Sequence, residues 1–228
     1  SRVQYCDAHT VPSLAAKAAN SAAVMGVKRS LRDLNGIGIN AGITNVSLSK
    51  SFTTDENGNR IPCAGELYYR GYEIHDLIKG FFLDNRFGFE ECTYLLLFGI
   101  LPDEKELQDF KQVLNISYDL PHHFIQDVIM KSPTADIIAN MTKSTLALGS
   151  YDKKMGDNSL ENVLQQCIQL ISMFPRLAVY SYQGYRHYEL GKSCYIHKPL
   201  PELSFAENIL STLRSNRKYT RLEARVLD

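Results

Sequence analysis

Apolar positions along most of this chain recur three and four residues apart, the period of one helix face. The clearest run is 160–187, where Leu160, Leu164, Cys167, Ile171, Phe174 and Ala178 alternate four and three apart. This seam suits either a core or an interface, and Pro175 inside the run predicts a kink rather than an end. Residues 134–150 repeat the pattern through Ile137, Ile138, Met141, Thr145 and Leu148. Shorter helices are predicted over 74–79, over 89–98 with a stop at Gly99, and from a cap at Asp103 to about Asn115. Others run from Pro121 to about Lys131 and over 204–214, and Thr220 starts one more. Near the beginning, the alanine-rich stretch 12–28, with Pro12 in its first turn, predicts another helix.

One region breaks the helical period. Residues 43–52 and 61–69 are β-like and flank TTDENGNR, whose Asn57-Gly58 pair signals a tight turn. The expectation is an all-α, multi-helical fold with a single antiparallel hairpin at about 43–69. The proline-containing SCYIHKPLPEL reads as an extended connection. The final RLEARVLD is an amphipathic pattern cut off in mid-course, so the chain is expected to be a truncated piece of a longer protein.

Composition adds little that is specific. With 228 residues, 44% apolar and 22% charged, the chain can bury a sizeable core. Lys plus Arg (25) balance Asp plus Glu (25), so global charge argues for neither nucleic acid nor an anionic membrane as partner. The local basic cluster Lys17, Lys28, Arg29 and Arg32 reads as a solvated helix face. Five scattered cysteines (Cys6, Cys63, Cys92, Cys167 and Cys194) form no CxxC pair, and Cys92 and Cys167 are expected as buried free thiols. This usage, with no apolar run long enough to span a membrane, leads to the expectation of a soluble, cytoplasmic protein.

Candidate chemistry is sparse. His9, His75, His122, His123, His187 and His197 include no pair at helical metal-site spacing. DENGNRIPCAGE partly mimics a calcium loop, with Asp55 first and Glu66 twelfth, but Arg60 stands where the sharp turn needs glycine. A hairpin turn is the better reading. NGIGINAG, with Gly36, Gly38 and Gly42, neither follows a strand nor opens a helix, which a dinucleotide loop requires. Arg70 could bind a carboxylate, though a structural bond to nearby carbonyls is favoured. Glu90 and Glu91 sit in a first helical turn, where the macrodipole favours acids. No serine or cysteine has an assignable base. The residues themselves nominate no catalytic, cofactor-binding or metal-binding set.

The order of motifs nevertheless resembles the citrate synthase family. GELYYRGYEIHDL is similar to its G-x-L-x-YRGY-x-I-x-DL element, and FEECTYLLLFGILPDEKEL to the helix ending LL-x-G-x-LP and the helix after it. LRDLNGIGINAGITNVS resembles the family's glycine-rich entry to a hairpin. LENVLQQCIQLISMFPRLAVYSYQGYRH resembles its long helix with LI-x-x-x-P-x-x-A, PELSFAENILSTL its P-x-L-x-x-AENFL segment, and EARVLD the start of the following helix. Departures fall near Pro133–Ile137 and in the polar loop over 151–158.

The resemblance implies the amino-terminal part of a large helical domain, with the small domain and the catalytic segments absent. The parent would be a homodimeric acyltransferase condensing acetyl-CoA with oxaloacetate and water to citrate and CoA. Such a reaction needs a base for a weakly acidic C–H and a donor to the developing enolate. The family's aspartate base, histidines and carboxylate-binding arginines would lie past Asp228, so none is carried onto a residue here. The chain alone is expected to be inactive. Helices near 134–150 and 160–187 would belong to the dimer interface. Acetyl-CoA would be a substrate, with no separate cofactor. The alternatives are a 2-methylcitrate synthase using propionyl-CoA, or a complete non-catalytic helical oligomerisation or regulatory subunit.

Overall fold

A computed structural model describes residues 44–116 and 119–228. The helix expected over 12–28, the basic cluster, the glycine-rich segment at 35–42, Cys6 and His9 lie outside the described residues. The chain divides into two compact units, Ser1–Lys79 and Gly80–Asp228.

In the first unit, β1 (Ser47–Thr54) and β2 (Arg60–Tyr69) pair antiparallel, Ser47 opposite Tyr69 and Thr54 opposite Arg60. The Asp55 carboxylate forms their turn by accepting the N–H groups of Asn57 (2.9 Å) and Asn59 (2.7 Å). These local bonds explain why the partial calcium-loop pattern folds as a hairpin. The hairpin extends further than expected. YYRGY makes a second, two-residue turn with φ of 51° at Arg70 and 90° at Gly71, and β3 (Tyr72–Glu73) joins the other side of β2. Two successive positive φ values give the turn the hand of strand twist, at a steric cost that only the glycine avoids. The sheet order is therefore β1-β2-β3.

From α1 (Ile74–Leu83) onward the structure is helical. It continues with α2 (Phe89–Phe98) and α3 (Glu104–Ile116). Gly99, at φ 82°, ends α2 by donating its N–H to the Leu95 carbonyl. Asp103 and Glu106 cap α3 reciprocally at 2.8 and 2.9 Å. The helix expected from Pro121 differs. Pro121 opens a turn, His123 adopts φ 60°, and a π-helical segment follows over Ile125–Met130. A positive φ at His123 interrupts regular helical growth, which accounts for the late start.

Then come α4 (Ile137–Gly149), α5 (Leu160–Tyr188), α6 (Phe205–Leu213) and α7 (Arg221–Leu227). Capping boxes Ser204–Glu207 and Thr220–Glu223 start α6 and α7. Residues 191–200 form the extended connection between α5 and α6. Glu223 also pairs with both terminal nitrogens of Arg214, which with the Thr220 cap holds its carboxyl down at about 2.

Two apolar clusters hold this unit together. Phe124, Ile129, Leu177, Val179 and Tyr180 form one, where α5 meets the π-helical segment and α4. Phe110, Leu114 and Phe205 form the other, between α3 and α6, with Tyr94 and Phe98 against it. Among the described residues no helix is long and apolar enough to cross a membrane. The four described cysteines are free and half-buried, so Cys92 and Cys167 are less enclosed than their apolar neighbours suggested.

Candidate functional site

The α5 residues that face the first core are not the seam expected from the sequence. Leu177, Val179 and Tyr180 are buried there, whereas Leu160 and Phe174 are 48% and 46% exposed. A helix whose period fits several stripes can bury one and leave another open. Ile171, Phe174 and Ala178 instead line an apolar trough of about 570 Å³, which Phe89, Phe205 and Leu227 help to close. Phe89 and Phe205 stack at 4.8 Å between ring centroids. Among the described residues, Asp228 is the one charged side chain in this lining.

Behind that acid lies a junction of three helices. The Asp228 carboxylate accepts the N–H groups of Gly88 (2.7 Å) and Phe89 (3.3 Å), satisfying donors that the start of α2 leaves free. Glu90, 2% exposed, accepts the Phe205 N–H at the start of α6 with one oxygen (2.9 Å), while its Oε2 has no hydrogen-bond partner among the described residues. Burial pushes the Glu90 carboxyl above its ordinary 4.5, against the Phe205 bond and Lys111, which pull it down. Neighbouring Glu91, 6% exposed, pairs with Arg86. The two acids expected in a first helical turn are found there, and both are buried.

The polar face of α7 completes the junction. Arg221, Arg225 and Asp228 stand four and three residues apart, on one side of the helix. Arg221 donates to the Asn85 carbonyl (2.7 Å) and Arg225 to its side-chain oxygen (3.1 Å). Their guanidinium groups lie over Phe87 (5.5 Å) and Phe82 (4.4 Å). On the other side of α7, Leu222 and Val226 are 72% and 80% exposed.

This arrangement ties the starts of α2 and α6 and the face of α7 together. Arg70 lies in the β2–β3 turn, its backbone N–H donating to Val46 (2.8 Å). His75 is engaged by Glu73, and the rings of His187 and His197 bond to the Lys192 and Ser215 carbonyls. Among the described residues no three His, Cys, Asp or Glu side chains converge as a metal ligand set. Sequence reasoning missed Asp228, Arg221 and Arg225. Their spacing on one face was the available signal, but nothing local pointed to a turn some 140 residues away.

The sequence model of the family described as "Citrate synthase, C-terminal domain" matches residues 40–228. A citrate synthase of Saccharolobus solfataricus is 33% identical over 174 residues, covering 75% of this chain and 41% of that protein. A citrate/2-methylcitrate synthase of Bacillus subtilis is 26% identical over 147 residues, covering 64% of this chain and 36% of that relative. Among solved structures, citrate synthase from Pyrobaculum aerophilum superimposes with a TM-score of 0.62 at 21% identity, over 87% of this chain and 48% of that one. The ternary complex of carboxymethyl coenzyme A and oxaloacetate with citrate synthase from Thermoplasma acidophilum gives 0.57 at 24% identity, over 80% of this chain and 41% of that one. The likeness to these structures establishes the shared fold, and the chain spans less than half the length of the relatives it matches.

Proposed function

The chain belongs to the citrate synthase family, and on that premise we propose that the protein it forms part of condenses acetyl-CoA with oxaloacetate and water to give citrate and CoA. The family match over residues 40–228 carries this reading. The chemistry is deprotonation of the acetyl methyl group, attack of the enol on the ketone, and hydrolysis of the thioester. It requires a placed base and a donor to the enolate oxygen.

In our reading the reacting groups come from the part of the relatives' length that this chain does not span. The 228 residues then supply scaffold. The apolar trough seats that further part, and the Asp228 junction fixes the helix at its rim. The same proposal makes the protein a homodimer through α4 and α5, supported by exposed Ile138 and Leu146 on the one and Leu160 and Val163 on the other.

A second reading, 2-methylcitrate synthesis from propionyl-CoA, is favoured by the name of the Bacillus subtilis relative. The full-length protein, assayed for free thiol with oxaloacetate and either thioester, tests both. A higher kcat/KM with acetyl-CoA supports the first reading, and a higher value with propionyl-CoA replaces it with the second. Turnover of neither removes both.

A further inference from the structure

A second cavity of the same unit, of about 410 Å³, opens between α3 and the start of α6. Unlike the apolar trough, it takes charges of opposite sign from different elements. From α3 come Gln108, Lys111, Gln112 and Asn115, three, one and three residues apart and so on one face of the helix. From α2, the segment before α6 and α6 itself come Glu90, Glu202 and Glu207. Asn115 ties α3 to that segment by donating to the Pro201 carbonyl (2.9 Å).

Adjacent backbone donors set two of the acids in place. Glu207 accepts the Ser204 N–H (3.0 Å) and Glu90 the Phe205 N–H (2.9 Å), which brings both carboxyls to the start of α6. Glu90 is 2% exposed, and its Oε2 has no partner among the described residues. A buried oxygen left in this state is costly until something supplies a donor. Lys111 does not supply it. Half-buried, it acts on Glu90 through its charge but forms no ion pair with it. The cavity thus holds an acid and an ammonium that do not reach each other, beside apolar surface from Leu203 and Phe205.

We propose that this cavity binds a free aliphatic α-amino acid. Its ammonium sits between Glu90 and Glu207, its carboxylate on Lys111 and the α3 amides, and its side chain against Leu203 and Phe205. A zwitterion brings both charges needed to bridge such a gap, and each of its ends makes charge-assisted hydrogen bonds. A simple amine would leave Lys111 unanswered, and a simple acid would leave Glu90 so. A metal ion fits less well, because among the described residues no three His, Cys, Asp or Glu side chains converge on one. The volume falls within the range of small-molecule sites. The inference is independent of the condensation reaction, so either can fail alone.

The test is isothermal titration calorimetry of the full-length protein with L-leucine, with a Kd of about 1 mM or tighter expected. Isoamylamine, which is leucine without its carboxylate, and isocaproate, leucine without its ammonium, should each bind at least about tenfold more weakly. Glu90→Gln and Lys111→Met should each weaken L-leucine binding by roughly tenfold. Lys153→Met, at an exposed site outside the cavity, should match the parent. Circular dichroism checks folding, and the two analogues decide alone if a variant misfolds. Absence of binding at about 10 mM L-leucine overturns the proposal, as does parent-like affinity in the Glu90 and Lys111 variants. Equal binding of isoamylamine would make this a plain cation site, and equal binding of isocaproate an anion site, each against the proposal. Displacement of L-leucine by oxaloacetate or CoA would move it to the reaction site and overturn the assignment as well.

Discussion

Replacing Glu90 with glutamine isolates the buried acid at the α2–α6 junction. The side chain is 2% exposed, accepts the Phe205 N–H, and leaves Oε2 without a partner among the described residues. Glutamine keeps the carbonyl oxygen that accepts this bond and removes the ionisation. Because burial raises the folded-state value above 4.5, the folded chain holds the Glu90 proton more tightly than the unfolded chain. Its favourable contribution is complete below 4.5 and is lost as pH rises through the folded value. The loss has a limiting slope of about 1.4 kcal/mol per pH unit. Glu223 titrates in a separate window. Its depressed carboxyl stabilises above 4.5, and that stabilisation is lost as pH falls toward about 2.

Urea unfolding of the parent and Glu90→Gln chains between pH 4.5 and 8 should therefore show curves that meet at the acid end. At pH 8 the glutamine variant should be the more stable by about 1–3 kcal/mol, the scale set by a buried group left unsatisfied. Glu90→Ala removes the acceptor for the Phe205 N–H and should lack that gain. A glutamine variant less stable than the parent at pH 8, or one sharing its decline above pH 4.5, would refute the reasoning.

At Gly88, a Cβ would lie 2.3 Å from the Phe81 ring, so Gly88→Ala should destabilise by about 1–3 kcal/mol in denaturant unfolding. Asp228→Asn weakens the charge-assisted acceptor at the start of α2, and hydrogen exchange at Gly88 and Phe89 should accelerate roughly five- to tenfold. The open trough should bind a hydrophobic dye and promote self-association of the isolated chain. Phe174→Asp, at a half-exposed rim position, should reduce both in dye-fluorescence and sedimentation measurements.

Local chemistry was legible in the sequence wherever one turn contains both partners. The stop at Gly99, the cap at Asp103, the helix start at Thr220 and the tight turn at Asn57-Gly58 each use groups within five residues, and each formed where expected. The all-α reading with a small sheet followed from the same signals. Register with distant elements was not legible. Glu90 meets Phe205 across 115 positions and Asp228 meets Gly88 across 140, and no periodicity encodes such meetings. The α5 seam shows the same limit, since apolar spacing identifies a helix face but not what covers it. The left-handed His123 escaped for a different reason: histidine takes this conformation more readily than most residues but still uncommonly, so the residue alone gives no signal of it.

The central claim is that these 228 residues are scaffold of a citrate-forming enzyme whose reacting groups lie elsewhere in the protein. Thiol release from acetyl-CoA with oxaloacetate, measured side by side for the isolated chain and the full-length protein, tests it most directly. The account predicts oxaloacetate-dependent release by the full-length protein and none above background by the isolated chain. Turnover by the isolated chain, or inertness of the full-length protein with both acetyl-CoA and propionyl-CoA, would contradict it.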